Sequence, residues 1–324
     1  MSDIPPVLES SQAQLLKLLQ SQRLAAIVAP MFLVSTPELV IASSKAGLIG
    51  GLPAPNARTI EQLDQWLAAI AHELGAEANA GISYPWLFNM IVHSTYTRFD
   101  AEVELIKKYR PAIVTTALGS PKRVLPVVHE YGGVVMADVI TPTMARKAAE
   151  AGVDGLILVC AGAGGHTGQY SPFSFIAEVR EFWDGPLGLA GGVSNGADIH
   201  AAQVLGYDFV LVGTRFIPTK ESMVSDDYRH MLVDSQMEDI IPSKAVSGVM
   251  ANWLAPSLAK AGVDPTSSAR ADIDFSGNIA ADNKAWKHIW SAGHGVGQIK
   301  NLPSAAELVE ELAQSYAQRR ARAF

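Results

Sequence analysis

Eight short apolar runs, separated by segments of helical length, are the feature that most restricts the fold of this chain. The runs are mostly continuous in hydrophobicity, which is typical of parallel strands buried on both faces. The segments between them are too long for hairpins and suit right-handed crossovers. The predicted strands cover residues 24–28, 47–51, 76–82, 112–116, 133–139, 154–160, 185–191 and 209–213.

Eight repeats of strand and helix favour a closed (β/α)₈ barrel, a TIM barrel, over an open doubly wound sheet. A small polar residue before proline is a good helix start, and it occurs at Thr36-Pro37, Ser120-Pro121 and Thr141-Pro142. Two further amphipathic helices are predicted over residues 10–22 and about 304–320. We therefore expect residues 1–216 and 301–324 to form the barrel, with residues 217–300 as a helical insertion that covers its mouth.

Composition excludes several classes of protein. The chain has 324 residues and a formal net charge of −7, and it lacks a basic run of the kind that binds nucleic acid. Cys160 is the only cysteine, so an intramolecular disulfide is excluded. The N-terminal residues resemble neither a signal peptide nor a membrane span. We expect a cytoplasmic protein, and the absence of paired-cysteine or H-x-x-x-H spacing argues against a bound metal.

Glycine pairs at the ends of the last two predicted strands form the strongest local signal. Gly191-Gly192 ends the seventh strand, and Gly213-Thr214 ends the eighth. Glycine lets backbone N–H groups approach an anion closely, and the helix that follows each strand presents its positive end there. These pairs predict a phosphate-binding site at the carboxyl ends of the strands, where barrel active sites lie.

A histidine inside a glycine-rich loop is the second signal. Residues 161–168 follow the sixth predicted strand and contain His166. A histidine held at a barrel mouth can act as a base or donate a hydrogen bond to an anion, although His166 could instead only solvate the loop. His294 lies in another glycine loop and is a candidate substrate contact.

These motifs resemble the nitronate monooxygenase family, formerly called 2-nitropropane dioxygenases, and the related FMN-dependent enoyl reductases. The most specific parts are Gly164–Gly168, Ala190–Val193, Val212–Phe216 and Lys220–Ser222, in the order and spacing of the family. The resemblance also includes Ala29-Pro30-Met31 and residues 291–298, and so spans nearly the whole chain.

The resemblance implies a barrel that binds FMN. Gly191, Gly192, Gly213 and Thr214 are expected to hold the FMN phosphate, and His166 matches the catalytic histidine of the family. Ala29, Pro30 and Met31 are expected along the isoalloxazine. The other expected cofactor contacts are Asn79, which matches the asparagine of the family's third strand, and Asp138 and Gly165.

The implied reaction is oxidation of an alkyl nitronate by O₂ to a carbonyl compound and nitrite. The chain departs from many relatives at Val28 and His294, where they carry glutamine, and at Asp138, where some carry a basic or neutral residue. Two alternatives stay open: an NAD(P)H-dependent flavin reductase of quinones or enoyl thioesters, and a flavin-free sugar-phosphate isomerase or synthase. The sequence also leaves open whether the chain forms a homodimer.

Overall fold

Eight parallel strands close into a barrel in the computed structural model, which describes residues 10–75, 84–267 and 288–322. The first strand pairs with the last, with Ile27 opposite Leu211, so the sheet has no free edge. The predicted (β/α)₈ fold is therefore confirmed. The barrel strands are β1 (Ala26–Val28), β2 (Ile49–Pro53), β3 (Trp86–Ile91), β4 (Ile113–Ala117), β5 (Val134–Val139), β6 (Gly155–Val159), β8 (Leu187–Ala190) and β9 (Phe209–Val212).

Helices cover the outside of the barrel. Thr36 and Thr141 accept a hydrogen bond from the backbone N–H three residues later and so cap their helices as predicted. Ser120 instead caps a short 3₁₀ turn ahead of the next helix. The helices are α1 (Ser11–Gln20), α2 (Pro37–Lys45), α3 (Ile60–Gly75), α4 (Phe99–Tyr109), α5 (Leu125–Glu130), α6 (Pro142–Ala151), α7 (Pro172–Arg180), α8 (Gly196–Leu205), α9 (Asp226–Asp234), α10 (Ala255–Lys260) and α11 (Ala305–Ala321).

None of these helices, nor any other in the described ranges, combines the length and the hydrophobicity needed to span a bilayer. The last one, α11, confirms the predicted C-terminal helix. It begins with a capping box, in which Ser304 and Glu307 each accept a hydrogen bond from the other's backbone N–H.

The third strand does not lie where the sequence placed it. The prediction put it at residues 76–82, but β3 covers Trp86–Ile91, and residues 76–83 lie outside the described part of the chain. The apolar run Trp86–Ile91 was not among the predicted strands. Its side chains are buried on both faces, as a strand in a covered parallel barrel requires.

Helix α1 closes the amino-terminal end of the barrel. Leu15 and Leu19 are fully buried among the inward-facing side chains of the strands. The Ser11 hydroxyl donates a hydrogen bond to Asp154, immediately before β6, and Gln14 donates to the carbonyl of Gly132, just before β5. The opposite, carboxyl-terminal end is therefore the one that a ligand can enter.

The insertion after β9 contains strands as well as helices. It was predicted to be helical, but β10 (Ile240–Ser243) and β11 (Ala251–Leu254) pair as antiparallel strands. Strand β11 also pairs with β7 (Gly165–His166), which lies outside the barrel. Strands this short carry too few residues for a polarity pattern, and their partners are distant in sequence. The insertion thereby attaches to the loop that carries His166.

Helix α11 packs so closely on α8 that only glycine fits at position 196. A Cβ on Gly196 would lie 2.0 Å from the backbone nitrogen of Tyr316 and 2.3 Å from the carbonyl oxygen of Leu312. Both of these atoms belong to helix backbone, so a side chain could be accommodated only by moving one helix. The buried residues Ala305, Leu308 and Leu312 hold α11 in this position.

We predict that Gly196→Ala lowers the free energy of unfolding by about 1–3 kcal/mol, since α11 must move away from α8. Gly75→Ala is the matched control, because Gly75 also lies in a helix and a Cβ there has no atom within 4 Å. Urea unfolding followed by circular dichroism measures both. Equal midpoints for the two variants would contradict the packing described here.

Candidate active site

A cavity of about 1020 Å³ opens at the carboxyl-terminal mouth of the barrel. Its wall brings together the ends of barrel strands, the loop after β6 and parts of the insertion. Most of the residues singled out from the sequence lie on it: Ala29, Pro30, Met31, Asp138, Gly165, His166, Gly191, Gly192, Gly213 and Thr214. Asn79 lies outside the described residues, and His294 is not part of the wall.

The glycine pairs after β8 and β9 form one side of this cavity. Gly192 has a φ of +76°, and a Cβ built on it would meet no atom within 4 Å, so its backbone faces open space. Gly191, with a φ of +122°, packs instead against backbone atoms of residues 160–163. The Thr214 hydroxyl accepts a hydrogen bond of 2.8 Å from the N–H of Gly293, which leaves its own proton able to donate. We call this group (Gly191, Gly192, Gly213 and Thr214) the glycine cradle.

Ser194 belongs to the same side of the cavity, and the sequence reasoning missed it. Its Oγ is buried and makes no hydrogen bond with the described residues. A Cβ on Gly295 would lie only 1.5 Å from that oxygen, so glycine at 295 is what leaves room for the hydroxyl. The signal was available, because Ser194 follows Gly191-Gly192-Val193 directly and precedes the N-cap of α8. Its hydroxyl adds a donor beside the cradle.

The loop after β6 is held against residues 292–295 by contacts between backbones. A Cβ on Gly164 would lie 2.8 Å from the nitrogen of Gly293, and one on Gly293 would lie 2.4 Å from the oxygen of Gly162. The backbone N–H of His294 donates to that same oxygen at 3.0 Å. We call this contact the glycine junction. Its closeness explains why both loops are rich in glycine.

His294 takes part in this junction rather than in the cavity. Its imidazole packs against Gly162: a Cβ on Gly162 would lie 3.0 Å from Nδ1 of His294. The neighbouring Gly295 does line the cavity. A glycine loop near the mouth was the reason for expecting a substrate contact at His294, and sequence alone does not show which side of such a loop faces the ligand.

His166 lies on the cavity wall at the second position of β7. Pairing of Ala251 with His166 fixes its backbone, and the buried Asn252 donates to the carbonyl of Ala163 at 2.8 Å. His166 is exposed to the cavity, although the protein around the ring removes part of its water. This partial loss of water lowers the pKa of His166 below its usual value. The ring is therefore neutral at pH 7, and can accept a proton at one nitrogen and donate from the other.

Asp138 lies at the inner end of the cavity, near the end of β5. Burial raises the pKa of Asp138 to about 7, and no neighbouring charge contributes to this shift. Its Oδ1 is buried and makes no hydrogen bond with the described residues.

Asn89 is a further polar residue of the cavity that the sequence reasoning missed. It lies on β3 and donates from Nδ2 to the hydroxyl of Thr115 on β4 at 3.0 Å. Asn89 is therefore the asparagine of the third barrel strand, the place expected for Asn79. The expectation for Asn79 rested on the misplaced strand, and any contact of Asn79 with a cofactor lies outside the described residues.

The outer wall of the cavity is largely apolar. Tyr228 and Trp290 of the insertion stack with ring centroids 4.9 Å apart, and the Tyr228 hydroxyl donates to the carbonyl of Ser291. Arg58 and Glu38 are the charged residues of the wall on the side of α2 and α3. The apolar residues of the outer wall include Phe32, Leu33, Val34, Trp66, Leu118, Met223, Val224 and Ile289.

A comparison with protein families identifies the chain. The sequence profile of the nitronate monooxygenase family matches residues 55–315. The chain belongs to the nitronate monooxygenase family. It is therefore an enzyme, of a family of oxidoreductases.

Individual proteins agree with this family assignment. The chain is 28% identical to a nitronate monooxygenase of Paraburkholderia phytofirmans, over 91% of this chain and 93% of that protein. In fold it is similar to nitroalkane oxidase from Streptomyces ansochromogenes, with a TM-score of 0.79 and 24% identity over 94% of this chain and 99% of that one. FabK from Thermotoga maritima gives a TM-score of 0.75 and 22% identity, over 95% and 97% of the two chains.

Membership of the family implies a flavin cofactor, and the cavity fits one. Backbone N–H groups and hydroxyls gather at the glycine cradle, as an anionic group requires. The Ser194 hydroxyl and Oδ1 of Asp138 make no hydrogen bond with the described residues, and a ligand with several polar atoms can supply their partners. The apolar walls suit an aromatic ring system.

Proposed function

We propose that this enzyme binds FMN and uses it to oxidise alkyl nitronates with O₂, giving a carbonyl compound and nitrite. The observation that carries the proposal is that His166, whose lowered pKa favours the neutral ring, and the glycine cradle lie on the wall of one cavity in a chain of this family. The cradle and Ser194 would hold the phosphate of FMN. Ala29, Pro30 and Met31, with Gly165, Asn89 and Asp138, would contact the rest of the cofactor.

In this reaction FMN supplies the electron transfer between nitronate and O₂, and the protein supplies orientation and proton handling. His166 donates a hydrogen bond from its ring N–H to the anionic nitro group and so orients it. With a neutral nitroalkane as substrate, the unprotonated ring nitrogen of His166 removes the proton from the carbon that bears the nitro group. The lowered pKa of His166 keeps that nitrogen unprotonated at neutral pH.

One observation favours a second candidate, an NAD(P)H-dependent flavin reductase of quinones or enoyl thioesters. The cavity of about 1020 Å³ and its apolar outer wall offer more room than FMN and a short nitronate need together. A sugar-phosphate isomerase fits less well, because a sugar needs polar partners along its whole length and the outer wall has few.

Two assays on the purified protein separate these reactions. With a short alkyl nitronate in air, we expect O₂ consumption together with nitrite release. With NADH or NADPH under anaerobic conditions, we expect the flavin absorbance to stay unchanged, whereas fast bleaching would support the reductase. A colourless protein that turns over a phosphosugar would contradict both redox functions.

We predict that His166→Asn retains FMN but lowers kcat/KM for a nitroalkane by about 10²–10⁴-fold, because asparagine cannot accept the proton. His72→Asn is the matched control, since the His72 side chain is 81% exposed on α3. Steady-state nitrite release and the flavin absorbance of each variant are the measurements. Unchanged kcat/KM in His166→Asn would return His166 to a structural role.

We also predict that Gly192→Ala weakens FMN binding by at least about tenfold, because its methyl group would project into the glycine cradle. Gly132→Ala is the matched control: Gly132 has a φ of +79° against +76° for Gly192, and a Cβ at either position has no atom within 4 Å. The two variants thus share the cost of the backbone conformation and differ in location. If both lose FMN equally, the cradle does not bind the phosphate.

A further inference from the structure

Asp138 lies where a parallel barrel presents side chains to its ligand. Side chains alternate along a strand, so Asp138 points to the same side of β5 as Met136, which packs inside the barrel. Asp138 lies two residues beyond Met136, closer to the mouth of the barrel, and lines the cavity. Its buried Oδ1 has no hydrogen-bond partner among the described residues.

The neighbouring strands give this carboxyl no opposite charge. On β6, the residue paired with Asp138 is Ile157, and Val159 also lines the cavity. On β4, Thr115 is engaged by Asn89, and Ala117 follows at the cavity wall. The only titratable residue of the β6–α7 loop on the wall is His166, whose lowered pKa makes it neutral at pH 7.

An ionised carboxylate is costly in such surroundings, since burial penalises charge and no cation compensates for it. The protonated form is less costly and carries an O–H donor, which in turn needs an acceptor. The described residues provide none for Oδ1. A molecule that occupies the cavity, which Asp138 lines, is placed to supply the acceptor.

We propose that Asp138 is a protonated carboxylic acid that donates a hydrogen bond to an acceptor atom of the flavin ring, making cofactor affinity depend on pH. This inference rests on the proposed binding of FMN. The ring system of FMN carries carbonyl oxygens and unprotonated nitrogens that can accept such a bond. Loss of the proton removes the bond and leaves a buried negative charge beside the cofactor.

The test compares wild-type protein with Asp138→Asn, whose amide donates a hydrogen bond at every pH. FMN is added to apoprotein from pH 5.5 to 8.5, and the dissociation constant is measured by quenching of flavin fluorescence. The phosphate of FMN titrates near pH 6, so the readout is the ratio of the two constants. We expect the wild-type dissociation constant to rise about tenfold relative to that of the variant as pH passes 7. A tenfold change is what the loss of one hydrogen bond corresponds to.

Two results would overturn the inference. One is a ratio of the wild-type to the variant dissociation constant that stays constant across the pH range, and the other is a ratio that falls with rising pH. A falling ratio would mean that an ionised Asp138 accepts a hydrogen bond from the flavin. Failure of the wild-type protein to bind FMN at any pH would instead contradict the proposed function. If Asp138→Asn does not fold, Asp138→Ala, which has no donor, is compared with wild-type protein at each pH: wild-type protein should bind FMN about tenfold more tightly than Asp138→Ala below pH 7 and should lose that advantage by pH 8.5.

The stability of the apoprotein gives a readout independent of the flavin. Asp138 binds a proton in the folded state up to about pH 7, but in the unfolded chain only up to about pH 4. The folded state therefore holds the extra proton between these values, and stability falls as pH rises through this window. From pH 4 to 7, the melting temperature of the wild-type protein should fall relative to that of Asp138→Asn. Asp184→Asn is the control, because Asp184 is exposed, and this variant should show the same fall as the wild-type protein.

Discussion

The glycine junction is the contact on which the geometry of the site depends. Residues 162–164 and 292–295 meet backbone to backbone, and at Gly164 and Gly293 the approach leaves no room for a Cβ. The N–H of Gly293 also donates to the hydroxyl of Thr214, directly after β9. One small region thus joins the loop after β6, the end of the insertion and the glycine cradle. A side chain at Gly164 or Gly293 would force these two loops apart.

How far the fold could be predicted depends on whether each element has a local signal in the sequence. Seven of the barrel strands were found because parallel strands buried on both faces are continuous apolar runs, which is a local signal. Strand β3 was misplaced because another apolar stretch, residues 76–82, lies just before it and was predicted as the strand instead. Strands β10 and β11 were missed because their pairing with each other and with β7 is set by tertiary contacts.

The same division runs through the site. Gly192 and His166 could be predicted to line the cavity because glycine pairs and glycine-flanked histidines are visible in the sequence. Asn89 was missed because its place depends on strand register. Ser194 directly follows the glycine pair in sequence, but the space that Gly295 leaves for its hydroxyl is visible only in the structure. His294 shows the converse, since it has the local pattern of a site residue but packs beneath Gly162.

Two titratable groups of the cavity are shifted in opposite directions by one cause. Partial loss of water lowers the pKa of His166 and raises that of Asp138 to about 7. Both shifts favour the neutral form, so below about pH 7 Asp138 retains most of its proton over a range in which an ordinary carboxyl is ionised. The cavity therefore carries less charge than the same two residues would carry in water. The walls that exclude water therefore also set the charge state in which the enzyme can act.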